Sequence, residues 1–171
     1  PEIKGNSSMR SVIILLHGYG SNMKDLASLS EYIEDDDNLY VSINAPIKLV
    51  DFGAQSFAWF EIGAIEDMEQ RKYSVQKSTE LILNTINHII NVFNTDSTQI
   101  VLAGFSQGGM MAMNIALTSD QKFDGVAALS SRLITTPSNK INNLNFFISH
   151  GTKDNVIDIS EGHNTRDLLE K

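Results

Sequence analysis

The sequence predicts an α/β domain with a mostly parallel central sheet flanked by helices. Three observations carry that expectation. Short, continuous apolar runs recur along the chain, as strands buried on both faces require. Helical patterns alternate with them, the order of parallel strands joined by crossover helices. No internal repeat or low-complexity linker divides the 171 residues, a length suited to one domain spanning 1–171.

The first strand is read at Ser11 to His17 (SVIILLH), whose Val12 to Leu16 is the longest aliphatic run. From Asn22 to Asp35, Leu26, Leu29 and Ile33 stand at helical spacing, and the acidic turn Asp35-Asp36-Asp37-Asn38 follows. Leu39 to Ala45 reads as a second strand stopped by Pro46. Residues 46–68 keep neither period yet hold Phe52, Phe57, Trp59 and Phe60, and irregular segments of that length are often functional. A long helix is expected from Glu69 to Phe93, with Ile82, Ile86, Ile89, Ile90 and Phe93 on one face. Ser97 to Ala103 is another strand, and a Met- and Ala-rich helix follows over Ser106 to Leu117. Gly125 to Ser130 and Leu144 to His150 are two further buried strands, and the chain is helical from Asp158.

Composition narrows the function. With 13 Lys+Arg against 21 Asp+Glu, the formal charge of −8 repels phosphate backbones, so no nucleic-acid partner is expected. The absence of cysteine excludes disulfides, thiolate metal sites and a Cys nucleophile, and fits a reducing, cytoplasmic compartment. No run is long enough to span a membrane, nothing near Pro1 is laid out as a signal peptide, and no stable membrane anchor is read. A homo-oligomer remains an open alternative.

Gly104-Phe105-Ser106-Gln107-Gly108 is a G-x-S-x-G sequence set between a strand and a helix, the context of a nucleophile elbow. The glycines there admit a sharp turn, and the helix start behind the serine favours developing negative charge. An ordinary serine N-cap would use the same residue. His17-Gly18-Tyr19-Gly20 ends the first strand, on the sheet face where Ser106 is expected. The backbone N–H groups of Tyr19 and Gln107 are therefore candidates for an oxyanion hole. A dinucleotide fingerprint is rejected, because Met23 occupies its third glycine position. Asp154, in a loop after a later strand, occupies the place of a triad carboxylate, or is a turn-forming Asp.

These pieces resemble the phospholipase/carboxylesterase branch of the α/β-hydrolases, which includes acyl-protein thioesterases. The likeness is carried by LLHGYGSN (Leu15 to Asn22), NAPIK (Asn44 to Lys48), AWFEIG (Ala58 to Gly63), AGFSQGGMMA (Ala103 to Ala112), the ALSS run within Ala127 to Ser131, and SHGTKDNVI (Ser149 to Ile157). It implies an α/β-hydrolase fold with Ser106 as nucleophile, Asp154 as triad acid, and Tyr19 with Gln107 as oxyanion donors. It also implies that Trp59 and the segment 46–68 border an acyl pocket, although Trp59 read alone is equally a core aromatic.

The expected reaction is hydrolysis of carboxylic esters or thioesters through an acyl-enzyme on Ser106, with no metal or organic cofactor. The partner is a small-molecule ester or an acylated substrate, and an acyl-protein thioesterase or lysophospholipase is the alternative. Family members carry the triad histidine in a late loop after one more strand. None of His17, His88, His150 and His163 stands in that position, so the family's C-terminal strand and His loop are expected to be missing from these 171 residues. Without such a base, the alternative is a non-catalytic acyl-binding domain.

Overall fold

The computed structural model describes residues 2–4, 11–33, 37–62, 68–136 and 144–170. Of the acidic turn, Asp35 and Asp36 lie outside the described residues, as does Gly63.

Five parallel strands form the body of the sheet: β2 (Ser11–Leu16), β3 (Asn38–Ile43), β6 (Ile100–Phe105), β7 (Gly125–Leu129) and β8 (Asn145–Ser149). A short β1 (Glu2–Lys4), not anticipated from the sequence, joins the far edge antiparallel to β3. The order across the sheet is β1-β3-β2-β6-β7-β8, so β2 and β6 lie at its centre. Within the segment expected to be irregular, β4 (Ile47–Lys48) and β5 (Phe57–Ala58) form a separate antiparallel pair.

The helices are α1 (Met23–Ala27), α2 (Met68–Phe93), α3 (Gln107–Thr118) and α4 (Ile159–Leu169). The first is shorter than the spacing of Leu26, Leu29 and Ile33 predicts and tightens into a 3₁₀ turn over Ser28–Glu31. Ser28 and Ser30 each turn a hydroxyl back onto the carbonyl three residues earlier, a local bond that competes with the helical ladder. Helix α2 places Ile82, Ile86 and Ile89 in the core and ends at Asn94, whose φ of 48° is the left-handed conformation asparagine tolerates. Helix α3 is buried almost all round, packed on β6, β7 and β2, which accounts for its Met- and Ala-rich composition.

One strand departs from expectation. Leu144 to His150 reads as a strand buried on both faces, yet along β8 no residue is fully buried and Phe147 is 63% exposed. The reason is position, since among the described residues β8 lies at the edge of the sheet and pairs with β7 alone. The shared direction of the parallel strands brings His17, Ser106, Ser130 and His150 out at one end of the sheet, where α/β folds build their sites.

Candidate active site

The elbow after β6 is held by backbone packed on backbone. Ser106 has φ 52° and ψ −116°, a region that costs a non-glycine residue about 1–3 kcal/mol and persists only where its surroundings impose it. Its N–H donates to Leu129 O at 2.8 Å, and its carbonyl accepts from Ser131 Oγ at 2.8 Å and Met110 N–H at 3.1 Å. The two flanking glycines are sterically required. A Cβ on Gly104 would stand 2.2 Å from the Gly108 carbonyl carbon, and one on Gly108 would stand 1.9 Å from Leu16 O. The turn therefore closes against both its own helix and the central strand.

Gln107 opens α3, where backbone N–H groups lack helical partners. Its side chain is buried and holds the segment after β5, accepting from Trp59 N–H at 2.8 Å and donating to Phe60 O at 2.7 Å. The loop carrying Tyr19 is fastened to β5 as well: Gly20 N–H donates to Phe57 O and Phe57 N–H to Ser21 O, both at 2.9 Å. The Tyr19 ring meets Phe52 edge-on, with centroids 5.6 Å apart.

Trp59 is not among the residues that line the cleft, although its neighbours in the segment 46–68 are. It is wholly buried, its indole N–H donating to His17 O at 2.8 Å, and Phe60 and Ile62 line the cleft in its place. The reason is that a buried indole needs a partner for its N–H, and the buried carbonyl of His17, just past β2, supplies one. His17 beside it is equally buried. Its Nδ1–H donates to Gly18 O at 2.7 Å and its Nε2 accepts from Ala45 N–H at 3.0 Å, which fixes the neutral tautomer. Burial holds its pKa below the usual histidine value. His17 braces the loop.

Asp154 is half-buried in the loop after β8. One carboxylate oxygen accepts from Val156 N–H at 2.9 Å and Ile157 N–H at 3.0 Å, and the other lies 3.6 Å from His150 Nε2. The bonds from Ile157 and Val156 keep the carboxyl below its ordinary pKa, with further help from the Ser130 hydroxyl. Ser130 also ties the acid to the elbow, because the next residue, Ser131, holds the Ser106 carbonyl. Strands β6 and β8 flank β7, so the ends that carry Ser106 and Asp154 are two strand spacings apart, roughly 10 Å.

A cleft of about 410 Å³ opens at Ser106. Tyr19, Gln107 and Met110 line it on the elbow side, and Val156, Ile157, Asp158 and Glu161 on the side of the Asp154 loop and α4. Two residues that sequence reading missed, Arg71 of α2 and Arg132 after β7, also line it. Among the described residues no imidazole is hydrogen-bonded to Ser106. His88 is exposed on α2, His150 Nε2 is engaged by Ile157 O at 2.7 Å, and exposed His163 lines a separate cavity between β8 and α4.

A family model described as Phospholipase/Carboxylesterase matches residues 3–171. The chain belongs to the phospholipase/carboxylesterase family. As a member of it, the chain is an α/β-hydrolase and a hydrolytic enzyme. Acyl-protein thioesterase 1 of Candida albicans is 32% identical over 185 residues, covering 96% of this chain and 79% of that relative. Among solved structures, esterase PE8 matches with a TM-score of 0.85 at 21% identity, covering 99% of this chain and 82% of its own. The Bacillus cereus carboxylesterase matches with a TM-score of 0.82 at 21% identity, covering 99% of this chain and 78% of its own. At that identity the two structures speak for the fold. Within the phospholipase/carboxylesterase family, the elbow, the two loops around it and the Asp154 loop are the parts of this chain on which chemistry is to be argued.

Proposed function

We propose that this family member cleaves carboxylic esters, or the thioesters that the Candida relative's name denotes, with Ser106 as nucleophile. The observation that carries the reading is the strained Ser106 backbone at the mouth of the cleft, since such strain persists where function uses it. Ser106 Oγ attacks the acyl carbonyl, its proton passes to an imidazole, and the N–H groups of Tyr19 and Gln107 receive the oxyanion. Collapse of the tetrahedral adduct expels the alcohol or thiol with that proton, and water then releases the acid by the same route. Asp154 orients the imidazole and stabilises its charged form.

The reading needs an imidazole between Ser106 and Asp154, and none of the four histidines is placed to serve. That observation favours a second reading, an acyl-binding domain with little turnover. Loss of a triad member leaves a residual acceleration of about 10³–10⁴ over water. Among the described residues no group of His, Asp and Glu is placed to hold a metal, and no helix is long and apolar enough to cross a membrane. A cytoplasmic place of work is part of the same proposal.

The test is labelling of Ser106 by a fluorophosphonate, together with turnover of p-nitrophenyl butyrate. It is run on this chain and on Ser106→Ala. Labelling and turnover lost together in Ser106→Ala is the expected result. Full labelling of Ser106→Ala would remove Ser106 from the mechanism, and Ser106 labelled with negligible turnover would favour the acyl-binding domain.

A further inference from the structure

The chain carries 21 acidic residues and only four arginines, yet two of those four line the cleft at Ser106. Both are half-buried. Arg71 sits in the first turns of α2, its guanidinium carbon 5.0 Å from the centroid of Phe60. Three and seven residues on, Ser74 and Ser78 bond Glu61 and the Trp59 carbonyl, so the helix is tied to the cleft wall at Arg71. Arg132 directly follows Ser131, the residue that holds the Ser106 carbonyl. Among the described residues the ion pairs are Lys77–Glu80, His150–Asp154 and Arg166–Asp167, and neither cleft arginine takes part in one.

A guanidinium presents a planar fork of donors that matches the two oxygens of a carboxylate. Its usual internal partners are committed or distant here. Asp158 caps α4 by accepting from Ser160 N–H at 2.9 Å, and Glu161 lies beyond ion-pair distance of both arginines. We propose that Arg71 and Arg132 recognise a carboxylate on the substrate, so that the preferred ester carries a free acid group beyond its scissile bond. The inference rests on the reading of this cleft as the place where Ser106 acts. A monoanion suits the site better than a dianionic phosphate, because Asp158 and Glu161 line the same cleft and repel the second charge. The attraction is local, since the protein's overall negative field is screened within about 8 Å at physiological salt.

Equilibrium binding of monomethyl glutarate, of uncharged methyl pentanoate and of the phosphonate analogue of the glutarate tests the proposal without requiring turnover. It is measured on the wild-type chain and on Arg71→Gln, Arg132→Gln, Arg71→Lys and Arg132→Lys. The carboxylate is expected to bind about tenfold tighter than the neutral ester, the effect of one charge-assisted hydrogen bond. Each Gln variant should lose most of that ratio, and each Lys variant should recover only part of it. No preference in the wild type, or an unchanged ratio in both Gln variants, would overturn the proposal. Tighter binding of the phosphonate would overturn the choice of carboxylate. Should a Gln variant fail to fold by circular dichroism, the Lys variant at that position decides, full retention of the ratio in both Lys variants counting against fork recognition. Fluorophosphonate labelling of wild type and Ser106→Ala reads the nucleophile separately. No labelling of the wild type, or unchanged labelling of Ser106→Ala, with the anion preference intact would remove Ser106 alone.

Discussion

The turn after β6 and the region of β8 and α4 contribute the two proposed triad residues, and they are built in opposite ways. At the elbow, backbone lies against backbone: Gly104 on Gly108, Gly108 on Leu16, with Gln107 and Trp59 bonded through their buried polar atoms. At the sheet edge, Phe147 is largely exposed, and His150 Nδ1 is buried with no hydrogen-bond partner. Helix α4 approaches there through Gly162, where an added Cβ would stand 2.9 Å from His150 Nδ1. The nucleophile's geometry must be exact to a fraction of an ångström, and a central strand with neighbours on both sides supplies that rigidity. An orienting acid tolerates a looser mount, because it works through a ring that can adjust.

Five variants sharpen or break this contrast. The largest effect is expected from Gly108→Ala, since neither α3 nor Leu16 can yield without opening the sheet. Urea denaturation should show a loss of about 4 kcal/mol or more, in the range kept for severe core clashes. A loss below about 1 kcal/mol would mean that the elbow is not locked. Gln107→Ala comes next, leaving Trp59 N–H and Phe60 O buried without partners. About 2–4 kcal/mol should disappear from the same titration, and fluorophosphonate labelling of Ser106 should slow.

The two regions also differ in the pH range where each contributes stability. Burial lowers the His17 pKa, so as pH falls below about 6.5 the unfolded chain takes up the proton first. Stability from the elbow side is complete above that value and declines beneath it, and His17→Gln should flatten the slope of unfolding free energy between pH 7 and 5. The Asp154 carboxyl is also lowered, chiefly by the Ile157 and Val156 N–H groups, so its contribution is complete above about 3.9 and is lost as pH falls further. Asp154→Asn should flatten only that acid limb. If His17→Gln leaves the upper window unchanged, the buried neutral imidazole is not its source. The smallest effect is expected at the edge, where Phe147→Ser should shift the urea midpoint by less than about 0.5 kcal/mol equivalent. A loss of several kcal/mol would show that Phe147 is covered in solution.

Much of the site was legible because motif and context coincided. Ser106 follows β6 and precedes α3 as the G-x-S-x-G pattern requires, and Tyr19 and Asp154 lie in loops at the same end of the sheet. Arg132 stands directly after the ALSS run, in a loop at that end, and position alone could have drawn attention to it. Arg71 gave no such signal, because a helix start far along the chain meets the cleft only through packing. The aromatic cluster was visible as a cluster, but which ring faces the cleft was not. In Phe57-Ala58-Trp59-Phe60 the indole turns inward because His17 O accepts its N–H, leaving Phe60 to form the wall.

The sequence by itself determined the alternation of strands and helices, the parallel sheet and the position of the elbow, because apolar periodicity and steric demands on glycine act over a few neighbouring residues. It also determined that no cysteine chemistry is available. Only the tertiary structure decided that β8 is an edge strand with an exposed face, that Trp59 is a brace, and that His17 is held neutral. It alone brought two arginines into one cleft. Those outcomes depend on contacts between residues far apart in the chain, where burial, hydrogen-bond pairing and strand order are properties of the whole sheet.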